Sequence, residues 1–237
     1  MLHCAITDRT LLGADAAAQR EGLLRQARIW AEAGLALIQI REKDLPASEQ
    51  IALVRAMRSA MQSAQSARTV AQVPTRLILN ARIEIALAAG ADGVHLPAAG
   101  AAETLRALSS GNVAGAGSLW VSVSCHTLTE VELARDAGAD CILFAPVFGK
   151  EIRPQHVLQV GQSLETLPGV GLAALTDACR AAHPVPVLAL GGVTAENASA
   201  CIAAGASGIA AIRWFHQSAE SWHALCAASQ PAQRQTW

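Results

Sequence analysis

The sequence predicts an α/β protein of the (β/α)8 TIM barrel class, folded as a single domain over residues 1–237. Short apolar runs, of the kind that form buried parallel strands, alternate with segments of helical periodicity along nearly the whole chain. Ala-Gly-Ala followed by a polar residue, or a close variant, recurs at 89–92, 137–140 and 204–207, where the glycine would end a helix before the next strand. About eight such units in a chain of this length favour a closed barrel over a doubly wound sheet.

The predicted strands are short and apolar on both faces, as in a parallel sheet covered by helices. They are Leu2–Thr7, Leu35–Ile40, Arg76–Asn80, Asp92–Leu96, Leu119–Ser124, Cys141–Phe144, Val187–Leu190 and Gly208–Ile212. The predicted helices carry apolar residues three and four positions apart. They are Glu21–Ala33, Ala47–Gln65, Ile83–Ala89, Ala101–Leu108, Leu128–Ala137, Gly171–Ala182, a helix with Thr194 as its N-cap that ends at Gly205, and Ser218–Ala228.

Some stretches between these elements carry no clear pattern. Ser66–Pro74 and Ser109–Ser118 are predicted loops, the first polar and the second rich in Gly and Ser. Gly149–Val170 follows the sixth strand, and segments of this length are commonly functional lids or partly helical. Residues 231–237 are predicted to form a frayed tail.

Composition excludes two classes of partner. The net charge is −1, so the chain has no basic field to hold nucleic acid. It has no long uncharged apolar run and begins in a strand rather than a signal-peptide pattern, so we expect neither a membrane span nor secretion. The six cysteines are scattered without a C-x-x-C pair, which indicates buried, reduced thiols and a cytoplasmic location.

Function in a barrel of this class lies at the carboxyl ends of the strands. The side chains predicted there are polar, include several cations and are poor in carboxylates. They include Arg9, Gln39, Arg41, Lys43, Asn80, His95, Ser122, Ser124, His126 and Arg213. Arginine and lysine bind phosphate oxygens, so the set suits a small anion that carries phosphate or diphosphate. The alternative for any single cation is a solvated loop charge.

The last two predicted strands form a βαβ unit with Gly191-Gly192 between its first strand and its helix. Loops after the last two strands of such barrels often bind phosphate, and glycine lets the backbone approach a ligand closely. The alternative is that the two glycines form only a tight turn. Arg213 follows the final strand and is predicted to point into the mouth and bind an anion; otherwise it turns to solvent while Trp214 and Phe215 pack inward.

Ser124 and His126 are the catalytic candidates. Ser124 ends the fifth strand and His126 heads the next helix, where its ring can contact a ligand. Cys125 would need a nearby base to act as a nucleophile, and we do not expect that role. His95 has no acid paired to it by sequence, so we expect a structural histidine there.

Seven short motifs occur in order along the chain. They are Ile6–Arg9, Gln39–Asp44, Leu77–Asn80, Ala91–Leu96, Val121–Thr127, Pro146–Phe148 and Ala189–Val193. Together the set resembles the thiamine-phosphate synthase and thiazole tautomerase family, over a span from Ile6 to about Ile212. The resemblance implies a cytosolic (β/α)8 barrel. In the synthase a pyrimidine methyl diphosphate ionises with the help of Mg²⁺, and the nitrogen of a thiazole phosphate captures the carbocation.

The resemblance also implies two groups of substrate-binding residues. Those that would hold the pyrimidine diphosphate are Gln39, Arg41, Lys43, Asn80 and Ser124. Those that would hold the thiazole phosphate are Gly191, Gly192 and the segment after Ile212.

The chain departs from the family pattern at both metal-binding carboxylates. The family has Asn-Asp-Arg after the third strand and His-Leu-Gly-Gln-x-Asp after the fourth, and both aspartates bind Mg²⁺. Here the two positions hold Ala81 and Gly100. Because Mg²⁺ requires oxygen ligands, we expect no tightly bound cofactor, and Mg²⁺ only together with a diphosphate substrate.

Three further positions differ from one or other member of the family. The Thr-x-Thr-Lys motif expected after Pro-Val-Phe is absent, and Lys150 and Arg153 are the candidates to replace its lysine. Arg213 stands in place of a small hydroxyl residue. Pro146 stands where the tautomerase has its catalytic histidine, as it does in the synthase.

The sequence therefore predicts a thiamine-phosphate-synthase-like transferase that lacks the usual Mg²⁺ carboxylates. The alternative is a non-catalytic or tautomerase-like barrel of the same family that binds a phosphate ligand. The expected partner is a small phosphorylated thiazole or pyrimidine, with no nucleic acid and no membrane, and a homo-oligomer is left open.

Overall fold

Eight parallel strands close into a barrel in the computed structural model, which describes residues 1–65, 74–111, 115, 119–152 and 165–217. In chain order the strands are β1 Leu2–Ile6, β2 Leu37–Ile40, β3 Arg76–Leu79, β4 Gly93–Pro97, β5 Trp120–Cys125, β6 Cys141–Phe144, β7 Lys150–Ile152, β8 Glu165–Leu167, β9 Val187–Ala189 and β10 Gly208–Ala211. The barrel order is β1-β10-β9-β6-β5-β4-β3-β2, while β7 and β8 pair separately as an antiparallel ribbon. The predicted (β/α)8 barrel is confirmed.

The helices alternate with the barrel strands. They are α1 Ala16–Glu32, α2 Ala47–Gln65, α3 Ile83–Ala89, α4 Ala101–Ser109, α5 Leu128–Asp136, α6 Gly171–Ala182, α7 Ala198–Ala203 and α8 Arg213–Gln217, with a 3-10 turn at Arg9–Leu11. Capping side chains determine where several of these helices begin. The Asp15 side chain accepts from the Ala18 amide at 2.9 Å, and Thr127 with Glu130 forms a capping box at α5. Among the described helices, none is long and apolar enough to cross a membrane.

The core has two parts because side chains alternate between the two faces of each strand. The larger part lies between the strands and the helices and is aliphatic and alanine-rich. The smaller part fills the inside of the barrel and includes Cys4, Leu37, Ile78, Leu143 and Leu188. The inside of the barrel is thus filled by apolar side chains, and the polar residues at the carboxyl ends of the strands lie above this layer.

The structure corrects two predicted helix starts. α1 begins at Ala16 rather than at Glu21, because Asp15 caps it. Thr194 is not an N-cap: α7 begins only at Ala198, since the Asn197 side chain accepts from the Thr194 amide at 2.8 Å. The predicted helix Ser218–Ala228 and the predicted tail 231–237 lie outside the described residues. A further helix, α8, which was not predicted, begins at Arg213 shortly after β10.

The segment between β6 and α6, which carried few sequence signals, is described only at its two ends, 149–152 and 165–170. It starts after β6, contains the β7–β8 ribbon and rejoins α6 at Gly171. Its two ends are tied together, because the Val170 and Gly171 amides donate to the Pro146 and Val147 carbonyls at 2.9 Å each. Both described ends of this segment therefore lie at the carboxyl end of the barrel, where the candidate site lies.

Candidate functional site

A buried histidine joins two serines at the carboxyl end of the barrel. β4 and β5 pair with His95 opposite Ser122 and Pro97 opposite Ser124, so the ring lies between the two hydroxyls. His95 Nδ1 is 2.8 Å from the Ser122 Oγ, and Nε2 is 2.8 Å from the Ser124 Oγ. The histidine predicted to be structural is thus hydrogen-bonded on both nitrogens, and one of its partners is a candidate catalytic residue.

The imidazole of His95 is held neutral by its surroundings. His95 is 4% exposed, and burial, together with the positive charges of Lys43 and Arg41, lowers its pKa to about 4. A neutral ring donates one hydrogen bond and accepts the other, so the two serines take opposite roles. Arg41 and Lys43 directly follow β2, so they lie at the same carboxyl end of the parallel barrel as His95.

β2 contributes a buried amide and two exposed cations. Leu37 lies in the interior cluster, and strand alternation puts Gln39 on the same face. Gln39 is 2% exposed, yet its Oε1 accepts no hydrogen bond from the described residues. A buried acceptor without a donor is costly, so a ligand donor at this position would be favourable. Arg41 and Lys43 follow directly and are exposed.

Asn80 continues the same edge from β3. Its amide donates to the Ile40 carbonyl at 2.9 Å, which extends the β2–β3 pairing beyond the strands, and its side chain is half-buried. Asn80 therefore lies beside the β2 residues, as the resemblance implied for a diphosphate site.

Gly191 and Gly192 both have positive φ, +92° and +64°, which glycine adopts without strain. A Cβ on Gly192 would lie 2.7 Å from the Phe148 Cβ and from the Gly149 carbonyl oxygen. The loop after β6 is held against this turn, since the Phe148 amide donates to the Gly191 carbonyl at 3.0 Å. The glycines are thus needed for the close approach of these two loops.

The remaining candidate residues are divided between the described and undescribed parts of the chain. His126 is exposed, and its Nδ1 donates to the Ala145 carbonyl at 2.7 Å, which fixes the ring and leaves Nε2 as the acceptor of the neutral form. Arg213 is exposed at the first residue of α8, beside the buried Trp214 and Phe215. Lys150 lies in β7, and Arg153 lies outside the described residues.

Comparison with known proteins identifies the family. A model of the thiamine monophosphate synthase family matches residues 4–215.

The chain belongs to the thiamine monophosphate synthase family.

Similar proteins include a putative thiamine-phosphate synthase of Geobacter sulfurreducens, 38% identical over 213 residues, which cover 87% of this chain and 83% of the relative. A thiamine-phosphate synthase of Methanoculleus marisnigri is 35% identical over 188 residues, or 78% of this chain and 76% of the relative. A thiamine phosphate pyrophosphorylase of Pyrococcus furiosus has the same fold, with a TM-score of 0.68 at 22% identity and 97% coverage of both chains.

The residues present do not fit the Mg²⁺ that the family resemblance implies. Ala81 is half-buried and packs against the outer core, and Gly100 has a φ of +78° with open space around it. In the described part of the chain, no three His, Cys, Asp or Glu side chains are grouped as metal ligands. In this member of the thiamine monophosphate synthase family, side-chain cations are present to bind phosphate oxygens, but no carboxylate is present at these two positions to bind Mg²⁺.

Cys125 is unsuited to nucleophilic catalysis in this family member. It is fully buried, and burial, followed by the charge of Glu130, raises the pKa of its thiol to about 12. At neutral pH it is therefore a thiol rather than a thiolate, and the thiolate is the nucleophile. Ser124 and His126 stay as the candidates beside it.

Proposed function

We propose that this chain is a thiamine-phosphate-synthase-like transferase that joins a pyrimidine methyl diphosphate to a thiazole phosphate. The observation that carries the proposal is that two exposed cations, Arg41 and Lys43, follow β2 at the same end of the barrel as the hydrogen-bonded pair of His95 and Ser124. These residues would supply positive charge and a hydroxyl donor to a diphosphate. The Gln39 Oε1, which accepts no hydrogen bond from the described residues, would accept one from a donor on the substrate.

The proposed chemistry needs stabilisation of a leaving group more than proton transfer. The bond between the pyrimidine methylene carbon and the diphosphate oxygen breaks, and both electrons leave with the diphosphate. Arg41 and Lys43 would stabilise the charge that develops there, and Ser124 and Asn80 would orient the oxygens. The thiazole nitrogen then donates its lone pair to the carbocation, which forms the new carbon–nitrogen bond.

The second substrate would occupy the opposite side of the mouth. The turn at Gly191 and Gly192 presents backbone without side chains, and the chain after β10 begins α8 there. In barrels of this class these two loops frequently bind phosphate, which supports a thiazole phosphate at this position. Arg213 would add a full positive charge to that site.

One observation favours the second function, a non-catalytic or tautomerase-like barrel that binds a phosphate ligand. Ala81 and Gly100 remove both metal-binding carboxylates, and without metal the diphosphate leaving group relies on side-chain cations alone. Such a barrel would retain the binding residues and lose turnover.

A turnover assay separates the two functions. The protein is supplied with both substrates and Mg²⁺, formation of thiamine phosphate is followed, and thermal shifts with each phosphate are measured alongside. Product formation above a control without protein supports the transferase. Stabilisation by a phosphate ligand without product supports the binding protein, and the absence of both effects would contradict the two proposals together.

We further propose a cytoplasmic location, supported by cysteines that are free in the described part of the chain and mostly buried. The partner would be the small phosphorylated pyrimidine or thiazole itself.

A further inference from the structure

We propose that Thr7, Arg9 and Glu42 form a clamp that keeps Arg41 and Lys43 available for a diphosphate. The inference rests on the proposed function, because it assumes that these two cations bind the ligand. It assigns a positioning role to three residues that do not themselves contact substrate.

The clamp begins with a hydroxyl that links two strand-end loops. Thr7 follows β1 and is fully buried. Its Oγ1 donates to the Glu42 Oε1 at 2.6 Å and accepts from the Arg41 backbone amide at 2.9 Å. A single side chain therefore fixes the backbone of Arg41 and the carboxylate next to it at the same time.

Glu42 is a nearly buried carboxylate whose charge is matched by Arg9. Its side chain is 3% exposed, and Oε2 accepts from the Arg9 guanidinium at 2.9 Å. Its Oε1 also accepts from the Arg9 backbone amide at 3.2 Å. A buried carboxylate needs such compensation, because an unpaired charge away from water is strongly unfavourable.

Arg9 engages the second acid of the same loop as well. Its guanidinium donates to the Asp44 Oδ1 at 2.7 Å and pairs with Oδ2, although Asp44 is 70% exposed. Both acids of the sequence Arg-Glu-Lys-Asp are thus turned towards the loop after β1.

The result is a separation of charge within four consecutive residues. The acids at positions 42 and 44 are bound to Arg9, whereas Arg41 and Lys43 are exposed and take part in none of the ion pairs found among the described residues. Without Arg9, the acids would be free to pair with the neighbouring cations and to repel an anionic ligand. The clamp prevents this neutralisation.

Two pairs of variants test the clamp, with binding of inorganic pyrophosphate measured by calorimetry. Thr7→Val removes the hydroxyl at nearly constant volume, and Thr7→Ser retains it. Arg9→Gln removes the charge that holds the two acids. Arg58→Gln is its control, because the partly exposed Arg58 also pairs with an acid, Asp92 at 3.0 Å, but at the amino end of β4 rather than at the carboxyl ends of the strands.

We expect Thr7→Val and Arg9→Gln to weaken pyrophosphate binding by about tenfold, the factor that 1.4 kcal/mol produces. Thr7→Ser and Arg58→Gln should bind as the wild type does. In turnover, the KM for the pyrimidine diphosphate should rise in the first two variants while the KM for the thiazole phosphate is unchanged. A purely structural role would instead lower the melting temperature in all clamp variants without this split.

The outcomes distinguish failure of the clamp from failure of the proposed function. If Arg41→Ala weakens pyrophosphate binding but Thr7→Val and Arg9→Gln do not, the clamp is refuted and the diphosphate site stands. If the wild type does not bind pyrophosphate, or if Arg41→Ala binds it equally well, the diphosphate site itself is wrong and the clamp falls with it. Should Thr7→Val fail to fold, the partly exposed Arg9→Gln decides the question.

Discussion

Acidification should destabilise this protein through His95, and replacing that histidine should reduce the effect. His95 lies between two serine hydroxyls at 4% exposure, and burial with the charges of Lys43 and Arg41 lowers its pKa from 6.5 to about 4. His3 is also 4% exposed, and burial lowers its pKa to about 4. Both rings are therefore neutral in the native state at pH values where the unfolded chain is protonated.

The sign and size of the effect follow from this difference. As the pH falls below 6.5 the unfolded chain binds a proton at His95, whereas the native protein does so only near pH 4. The destabilisation is absent well above pH 6.5, where both states are neutral, and it develops as the pH falls from 6.5 to 4. A pKa difference of this size corresponds to a loss of roughly 2–3 kcal/mol of stability between pH 7.5 and 4.5.

Urea unfolding at pH 7.5 and 4.5 measures the contribution directly. The free energy of unfolding of the wild type should fall on acidification, and the fall in His95→Gln should be smaller by roughly 2–3 kcal/mol. Glutamine retains an amide that can bond to the serines but has no proton to gain. An equal fall in the two proteins, or a His95 pKa near 6.5 in an NMR titration, would refute the reasoning.

Three other perturbations have defined outcomes. Thr127→Ala removes the capping box of α5 and should lower the free energy of unfolding by about 1 kcal/mol, seen as a lower urea midpoint; no change would contradict the cap. Ala81→Asp with Gly100→Asp should make turnover sensitive to chelator, and turnover that is insensitive to chelator would contradict this. The double variant should also lose about 1–2 kcal/mol of stability, because φ at Gly100 is +78°. Arg213→Ala should weaken binding of a phosphate ligand and flatten its salt dependence, whereas an unchanged salt slope would place Arg213 outside the site.

The barrel was predictable because its signals are local and repeated. Short apolar runs, helical periodicity and the glycine that follows each helix are all visible along the chain, as at Gly90, where φ is +70° and α3 ends. The order of the strands then determines which residues lie at the carboxyl end of the barrel, so Gln39, Arg41 and Asn80 could be grouped from the sequence alone.

Contacts between neighbouring strands were not predictable from these local signals. The placement of His95 between Ser122 and Ser124 depends on the β4–β5 register, which no local pattern specifies. The pairing of Arg9 with Glu42 joins two loops more than thirty positions apart. A charge run such as Arg-Glu-Lys-Asp indicated a polar loop but did not indicate that its acids and cations face different partners.

Gly192 shows where a sequence argument was incomplete. The sequence argument expected the backbone at Gly192 to approach a ligand, but the close approach found around this residue is to Phe148 and Gly149. A Gly192→Val change would therefore disturb the loop after β6 as well as a ligand, so a charge substitution tests the site more cleanly.

The most direct test of the central claim is the affinity of inorganic pyrophosphate in chelator-treated buffer, for the wild type and for Arg41→Ala with Lys43→Ala. The account predicts saturable binding to the wild type without metal, and a loss of about 1.5–3 kcal/mol for each charge-assisted contact that is removed. The fold should be hardly affected, since both side chains are exposed. Binding that requires Mg²⁺, or equal affinity in the double variant, would contradict a barrel mouth in which side-chain cations hold the diphosphate.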